Sequence, residues 1–101
     1  MIVAISMKTR DGSAYAEGLY TPEKTIVKAG GKISLSFNGC DAVRALRENR
    51  ENVDEKGYII RDCVFTSPST AAQFVNGNIS NGRRVWKVEG KTLGAYISEQ
   101  R

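Results

Sequence analysis

The sequence predicts an α+β fold, in which a small, mostly antiparallel sheet carries one longer and one short helix. Three observations support this prediction. The first third of the chain consists of short apolar segments separated by turn residues, as in strands joined by hairpins. Residues 41–51 carry apolar positions at helical spacing, and a later segment of about nine residues lies between a helix start signal and a helix stop signal. We expect one domain over residues 1–101, because no linker-like stretch divides the chain.

Four strands are predicted in the first third, over residues 2–5, 14–20, 25–28 and 32–37. The turn residues between them are Asp11-Gly12, Thr21-Pro22 and Gly30-Gly31. The apolar start of the chain is too short for a signal peptide or a membrane span. We therefore expect a cytoplasmic location, where Cys40 and Cys63 would be reduced, small and buried.

Residues 41–51 predict the longer helix, with Asn38 or Asp41 as its N-terminal cap. The apolar stripe of this segment consists of Ala42, Val43, Leu46 and Val53. Its opposite-charge pairs at i,i+4 spacing are Arg44–Glu48, Arg47–Glu51 and Arg50–Asp54. These pairs indicate a solvated helix face rather than a binding site.

The short helix is predicted from the residues that start and end it. Ser67 is placed to cap its start, and Pro68 follows at the first helical position, where a missing N–H costs nothing. Gly77 is placed to end it in a left-handed conformation. A helix this short is marginal alone, so it must dock on the sheet. The docking residues would be Ala71, Phe74 and Val75.

The remaining elements are short. Residues 58–60 and 63–65 are predicted as strand, either continuous or in two pieces. Asn81-Gly82 has the composition of a tight type I′ turn, and Glu89-Gly90 predicts a second turn between residues 85–88 and 91–93. Trp86 alternates with Val88, which favours a buried tryptophan. Residues 94–101 would add a short helix or fray.

The composition points away from catalysis. The chain has no histidine, which removes the commonest general base, and two cysteines are too few for a structural zinc site. We therefore expect no enzymatic activity, no metal and no cofactor. The net charge is +4, and residues 63–88 contain no Asp or Glu while carrying Arg83, Arg84 and Lys87. Positive charge is concentrated in the second half.

The second half resembles domain of unknown function family 4357, a bacterial family. The residues that carry the resemblance are Phe65, Ser67-Pro68-Ser69, Ala71-Ala72, Val75, Gly77, Asn81-Gly82, Trp86-Lys87 and Gly90-Lys91-Thr92-Leu93. The opening segment AYAEGLYTPEKTIVKAGGKIS is also similar to the start of the family, so the likeness spans about residues 12–95. The sequence departs from the family pattern at Arg83, where members carry a tryptophan, and at Asn78, where they carry a basic residue.

The resemblance implies a nucleic-acid-associated accessory module. Members often follow GIY-YIG-type nucleases or accompany restriction and repair modules, so the implied partners are DNA, ahead of RNA, and a nuclease or restriction-modification protein. The candidate contact residues are Ser69, Thr70, Asn81, Arg83, Arg84 and Lys87. The hydroxyls and amides at the helix start would meet a phosphate, and the cations would grip the backbone.

Two alternatives stay open. In the first, the domain is a protein-interaction or structural module, such as a homodimer joined through edge strands. A small-molecule binder that uses the serine-rich helix start would need a concave pocket.

Overall fold

The computed structural model of the protein describes residues 1–100, and over that range the chain forms six strands and four helices. The strands are β1 (Val3–Lys8), β2 (Tyr15–Tyr20), β3 (Thr25–Val27), β4 (Cys63–Phe65), β5 (Lys87–Val88) and β6 (Lys91–Thr92). The helices are α1 (Asp41–Glu48), α2 (Pro68–Asn76), α3 (Gly82–Val85) and α4 (Leu93–Glu99). No helix in the described range is long and apolar enough to cross a membrane.

The strands form one sheet in the order β4-β3-β2-β1-β5-β6, and every neighbouring pair is antiparallel. The predicted α+β fold with a small antiparallel sheet is therefore confirmed. The longest pairing joins β1 to β2 from Val3↔Tyr20 to Lys8↔Tyr15. The Glu89-Gly90 turn joins β5 to β6 as predicted, with both residues at positive φ.

The sheet has one face covered by helices and one face open to solvent. Alternate residues of β1 are buried and exposed, as a strand with one packed face requires. Helix α2 packs against β2, β3 and β4 on the covered face, where Phe74 lies against Phe65 with ring centroids 5.2 Å apart. We call the other side the open face. Its residues include Ala4, Ser6, Lys8, Tyr15, Glu17, Leu19, Ile26, Lys28, Lys32, Tyr58, Asp62, Val64 and Lys87.

Helix α2 is the element that the sequence predicts best. It begins after Ser67, whose hydroxyl accepts a hydrogen bond from the Thr70 amide, and Pro68 occupies its first turn. It ends at Gly77, which has a left-handed φ of 81°. The predicted docking residues are completely buried, and the neighbouring Ala72 is buried with them.

The predicted strand over residues 32–37 is wrong. Lys32 makes only isolated bridges to Tyr15 and Tyr58, and the chain then leaves the sheet. The Ser34 amide donates to the Val75 carbonyl, and the Asn38 amide donates to the Gly77 carbonyl. This segment therefore uses its backbone hydrogen bonds on the end of α2, which a sequence pattern of period two does not reveal.

Helix α1 is shorter than predicted, and a different set of its residues is buried. Leu46 stays 36% exposed, whereas Arg47 is only 7% exposed. The Arg47 guanidinium donates to the carbonyl oxygens of Ser34 and Ser36 and lies 4.7 Å from the centre of the Phe37 ring. It does not pair with Glu51 as the helical spacing suggested, because the loop carbonyls take its donors.

The other charge pairs predicted on α1 are also absent from residues 1–100. Arg44 pairs with Asp41, at 3.9 Å, instead of with Glu48. Arg50 forms no ion pair in the described range, so its predicted pair with Asp54 is wrong too. Long exposed side chains choose among several partners at little cost, so spacing alone does not fix a pair.

The predicted helix cap and one predicted cysteine environment are also wrong. Cys40, rather than Asn38 or Asp41, occupies the N-cap position of α1, without a side-chain hydrogen bond to the helix. The Cys40 amide donates to the Gln73 side chain of α2, over 2.8 Å, and the Cys40 side chain is exposed. Docking of α1 on α2 therefore decides this helix start. Cys63 is buried as predicted.

Candidate nucleic-acid interface

The start of α2 holds two of the predicted contact residues, Ser69 and Thr70, and both already serve the fold. The Thr70 hydroxyl lies 2.9 Å from the Ser67 hydroxyl, next to the cap hydrogen bond. The Ser69 hydroxyl accepts a hydrogen bond from the Gly82 amide over 2.9 Å. The Thr70 amide and the hydroxyls of Ser67 and Ser69 therefore already have partners within the fold.

The Ser69 contact belongs to a tight junction between α2 and α3. The indole Nε1 of Trp86 donates to the Pro68 carbonyl over 2.9 Å, and the Trp86 side chain is completely buried. A Cβ atom at Gly82 would lie 2.2 Å from the carbonyl carbon of Pro68, so only glycine allows this approach. The predicted burial of Trp86 is confirmed, and the junction fixes where α3 begins.

The predicted type I′ turn at Asn81-Gly82 is wrong. Asn81 is the N-cap of α3, and its side-chain oxygen accepts from the Arg83 amide over 3.1 Å. Gly82 is needed for close approach to Pro68, and its φ is not positive. An Asn-Gly pair suits either a left-handed turn or a capped helix, and the docking on α2 decides for the helix.

The two arginines of α3 are exposed, and no acidic side chain of the described residues pairs with them. Within residues 1–100 neither Arg83 nor Arg84 forms an ion pair. Arg83 lies beside α4, because a Cβ atom at Gly94 would come within 3.3 Å of the Arg83 Cβ. Asn81 is exposed at the start of the same helix. These three residues therefore form one exposed polar segment.

Lys87 is the predicted cation that reaches the sheet. It pairs with Ser6 of β1, and its neighbour Val88 is buried on the covered face. Alternation along β5 places Lys87 on the open face. The structure thus brings Ser69 together with Gly82, next to Asn81, whereas Lys87 lies on the other side of the sheet from α2.

A row of lysine and tyrosine residues crosses the open face. Lys8 pairs with Tyr15, Tyr15 bridges to Lys32, and Lys32 bridges to Tyr58. Paired residues on neighbouring strands point to the same side of a sheet, so all four side chains share the open face. Tyr15 is 37% exposed and Tyr58 is 40% exposed. The Lys32 ammonium lies 5.2 Å from the centre of the Tyr58 ring.

The next row is polar and also mostly basic. It runs from Lys87 through Ser6 and Glu17 to Lys28, whose amide donates to the Glu17 carbonyl. The face therefore carries Lys8, Lys28, Lys32 and Lys87 against the carboxylates of Glu17 and of Asp62, which is exposed and lies next to Lys28 in the register of β3 and β4. This gives the open face a local charge of +2, from four lysines minus one glutamate and one aspartate.

A groove of about 560 Å³ connects this face to the end of α3. Its lining includes Lys8, Tyr15 and Glu17 from the β1–β2 hairpin, and Val85 and Lys87 from the chain after Arg84. The predicted cation Lys87 and Lys8 of the first hairpin thus border one concave surface.

Sequence reasoning missed Lys8, Lys28 and Lys32, and it interpreted Tyr15 and Tyr58 only as half-buried strand residues. The period-two alternation of β1 and β2 marks Lys8 and Tyr15 as residues on the solvent side. Nothing local indicates that Lys32 and Tyr58 join the same row, because that depends on bridges between distant segments.

The buried thiol is not placed for chemistry. Burial raises the pKa of the Cys63 thiol, which keeps it protonated, and its Sγ donates to the Arg61 carbonyl. Cys63 faces the core of the β3–β4 pair.

The family model of a domain of unknown function, DUF4357, matches residues 5–97 of this chain. The chain belongs to this family. Within this DUF4357 domain, several residues that carry the likeness have structural contacts: Ser67 caps α2, Gly82 packs on Pro68, and Thr92 caps α4 by accepting from the Ala95 amide. No curated protein and no solved structure matches the chain.

Proposed function

We propose that this domain is a non-catalytic nucleic-acid-binding module that attaches to DNA through the open face of its sheet. The observation that carries the proposal is the row of Lys8, Tyr15, Lys32 and Tyr58, backed by Lys28 and Lys87, on a face that no helix covers. Lysine neutralises phosphate, and the exposed rings offer flat apolar surface to bases.

The exposed segment of α3 extends the same proposal. Arg83 and Arg84 precede Val85 and Lys87, which line the groove on the open face. A nucleic acid that leaves the sheet past Lys87 would meet these arginines, with Asn81 beside them. Ser69 would support this surface by holding α3 on α2, and Thr70 by bonding to Ser67 at the start of α2.

The number of lysine–phosphate contacts sets the expected affinity for DNA and its dependence on salt. Four lysine–phosphate contacts to a single strand give a slope of about −2.8 in log affinity against log salt, or a ~50-fold loss between 50 and 200 mM salt. Binding of this kind is weak and sequence-independent. It suits an accessory module in the cytoplasm of a bacterium that holds DNA for a nuclease or restriction-modification partner.

The test is fluorescence anisotropy of labelled DNA at both salt concentrations. Lys8→Gln/Lys87→Gln should weaken binding and reduce the salt slope by about half. The matched control is Arg44→Gln/Arg50→Gln, which removes the same charge from exposed residues in and just after α1, the helix that packs on α2. Equal losses in the two variants, or no binding by the unaltered protein, would contradict the proposal.

A second arm tests the α3 segment. Arg83→Ala/Arg84→Ala should lower affinity less than the change at Lys8 and Lys87 if the sheet is the main contact. A larger loss would move the interface to α3.

The alternative of self-association is favoured by one observation. β4 is an edge strand of the sheet, and its Val64 side chain stays 60% exposed next to Ile26 of β3. Edge strands with apolar side chains pair readily with other strands. Sedimentation analysis of the protein and of Val64→Lys distinguishes the cases: a dimer abolished by this change would support a structural module.

A further inference from the structure

We infer that the ligand of the open face is single-stranded and that two of its bases stack separately on Tyr15 and Tyr58. This inference rests on the proposed nucleic-acid binding and adds the form of the ligand. Both rings are more than a third exposed, and both belong to the row that contains Lys8 and Lys32.

The spacing of the two rings selects an unpaired strand. Tyr15 and Tyr58 both bridge to Lys32, one from each side, so they lie two strand positions apart. Neighbouring strands are about 4.8 Å apart, which places the two backbones roughly 10 Å from each other. Bases in a duplex follow one another every ~3.4 Å along the axis, stacked and paired. A duplex therefore has no free base faces at this separation, whereas an unstacked single strand has them.

The shape of the face supports the same choice. Contact with the bases of a duplex requires an element that enters a groove, such as a helix or a protruding ribbon. Lys8 and Tyr15 stand on neighbouring strands, Lys32 and Tyr58 lie on segments bridged to them, and the four residues form a broad surface instead. Aromatic side chains on such a surface, with cations around them, are the usual platform for single strands.

The contact between Lys32 and Tyr58 does not block stacking. The Lys32 ammonium lies over the Tyr58 ring, 5.2 Å from the ring centre. An exposed cation–π contact is weaker than a base–aromatic stack, so a base can displace the lysine. The displaced Lys32 ammonium is then free to meet the phosphate of that nucleotide, between the two rings.

Glu17 restricts where phosphates can lie. Its carboxylate stands in the neighbouring row, between Ser6 and Lys28. Phosphates would avoid this position and the neighbouring Asp62, and would follow Lys8 and Lys32 instead. The strand would therefore cross the face along the lysine–tyrosine row.

The experiment measures anisotropy with labelled oligothymidylate of about 12 nucleotides and with a duplex of the same length, a size within the range of single-strand binding sites. We expect tighter binding of the single strand. Tyr15→Leu/Tyr58→Leu should lower its affinity ~30-fold or more, because two stacked bases are lost, and should leave duplex binding nearly unchanged. The control Tyr15→Phe/Tyr58→Phe keeps the rings and should bind within about twofold of the unaltered protein.

The outcomes separate this inference from the proposed function. Equal affinity for single strand and duplex, with no effect of the leucine changes but a loss in Lys8→Gln/Lys87→Gln, would overturn the stacking and leave nucleic-acid binding intact. Absence of binding to both probes would overturn both.

A second measurement needs no variant. Photo-crosslinking of an oligonucleotide that carries 5-iodouracil, followed by mass spectrometry, should attach the base to Tyr15 or Tyr58. Adducts confined to residues 69–84 would contradict the inference, since these residues lie in α2, α3 and the loop between them.

Discussion

The start of α2 and the open face of the sheet differ in where their polar groups form hydrogen bonds. At the start of α2, Ser67 accepts from Thr70, Ser69 accepts from Gly82, and the Pro68 carbonyl accepts from Trp86. On the open face, the ammonium groups of Lys8 and Lys87 have no hydrogen-bonding or ionic partner within residues 1–100.

Residues that stand out in the sequence are therefore not the same as residues that are available to a ligand. The stretch from Ser67 to Trp86 has the most unusual residues, and Ser67, Pro68, Ser69, Gly82 and Trp86 in it form the contacts that start α2 and hold α3 on it. Residues that look ordinary in the sequence, such as Lys8 and Tyr15, face solvent on a surface that the fold leaves uncovered. Groups available to a ligand are those that the fold does not use.

The largest difference in stability between the two regions is expected when one aromatic side chain is truncated in each. Trp86→Ala removes a completely buried indole and its hydrogen bond to Pro68, and should lower the free energy of unfolding by about 3–5 kcal/mol. Tyr58→Ala on the open face should cost far less, because the ring is 40% exposed. Urea unfolding followed by far-UV circular dichroism measures both, and similar losses would contradict the distinction.

Glycines give a second, smaller contrast. Gly77→Ala forces a side chain into left-handed backbone and brings its Cβ within 2.2 Å of the Ser36 carbonyl oxygen, so we expect a loss of at least about 2 kcal/mol. Gly90→Ala meets only the backbone strain, since no atom lies within 4 Å, and should cost about 1 kcal/mol. Thermal unfolding of both variants tests the order. A reversed order would show that packing at the end of α2 is looser than described.

Arg47 and Arg44 allow a buried and an exposed arginine of one helix to be compared, because both guanidinium groups lie over the Phe37 ring. Arg47→Met should cost about 1–3 kcal/mol because the carbonyls of Ser34 and Ser36 lose a buried donor. Burial also lowers the pKa of Arg47, and relief of that desolvation keeps the loss moderate.

Arg44→Met is the control, because Arg44 is exposed and pairs with Asp41 only at 3.9 Å. It should change the free energy of unfolding by less than about 0.5 kcal/mol. Urea unfolding of both proteins decides, and equal stabilities would mean that the loop carbonyls find water instead.

The smallest effect on stability is expected on the open face itself. Lys8→Gln/Lys87→Gln should stay within about 0.5 kcal/mol of the unaltered protein, because both side chains are exposed and unpaired within the described residues. Differential scanning calorimetry at one salt concentration measures this. A marked loss of stability would mean that these lysines support the fold, and the binding assays would then need other variants.

Local signals predicted α2 well. Ser67, Pro68 and Gly77 act through hydrogen bonds and dihedral angles within a few residues of themselves, so their roles do not depend on the rest of the fold. The same holds for the Glu89-Gly90 turn. The predicted strand over residues 32–37 failed because its hydrogen-bond partners, at Val75 and Gly77, lie about forty residues away in the sequence.

In the candidate interface, too, the sequence indicates which residues to consider, and the structure shows which of them already have partners. Arg83, Arg84 and Lys87 could be selected from an acid-free stretch of sequence, and all three side chains are exposed. Ser69 and Thr70 could be selected as hydroxyls at a helix start, but only the structure places their hydroxyls against Gly82 and Ser67.

The sequence by itself determined the family, the α+β class, the bounds of α2 and the burial of Trp86, because these follow from short-range rules and apolar patterns. The tertiary structure alone decided that Asn81 starts a helix, that Arg47 is buried, and that Lys8, Tyr15, Lys32 and Tyr58 share one row. Each of these depends on which distant backbone groups meet. Strand register and helix docking result from packing over the whole domain, and no local residue pattern encodes them.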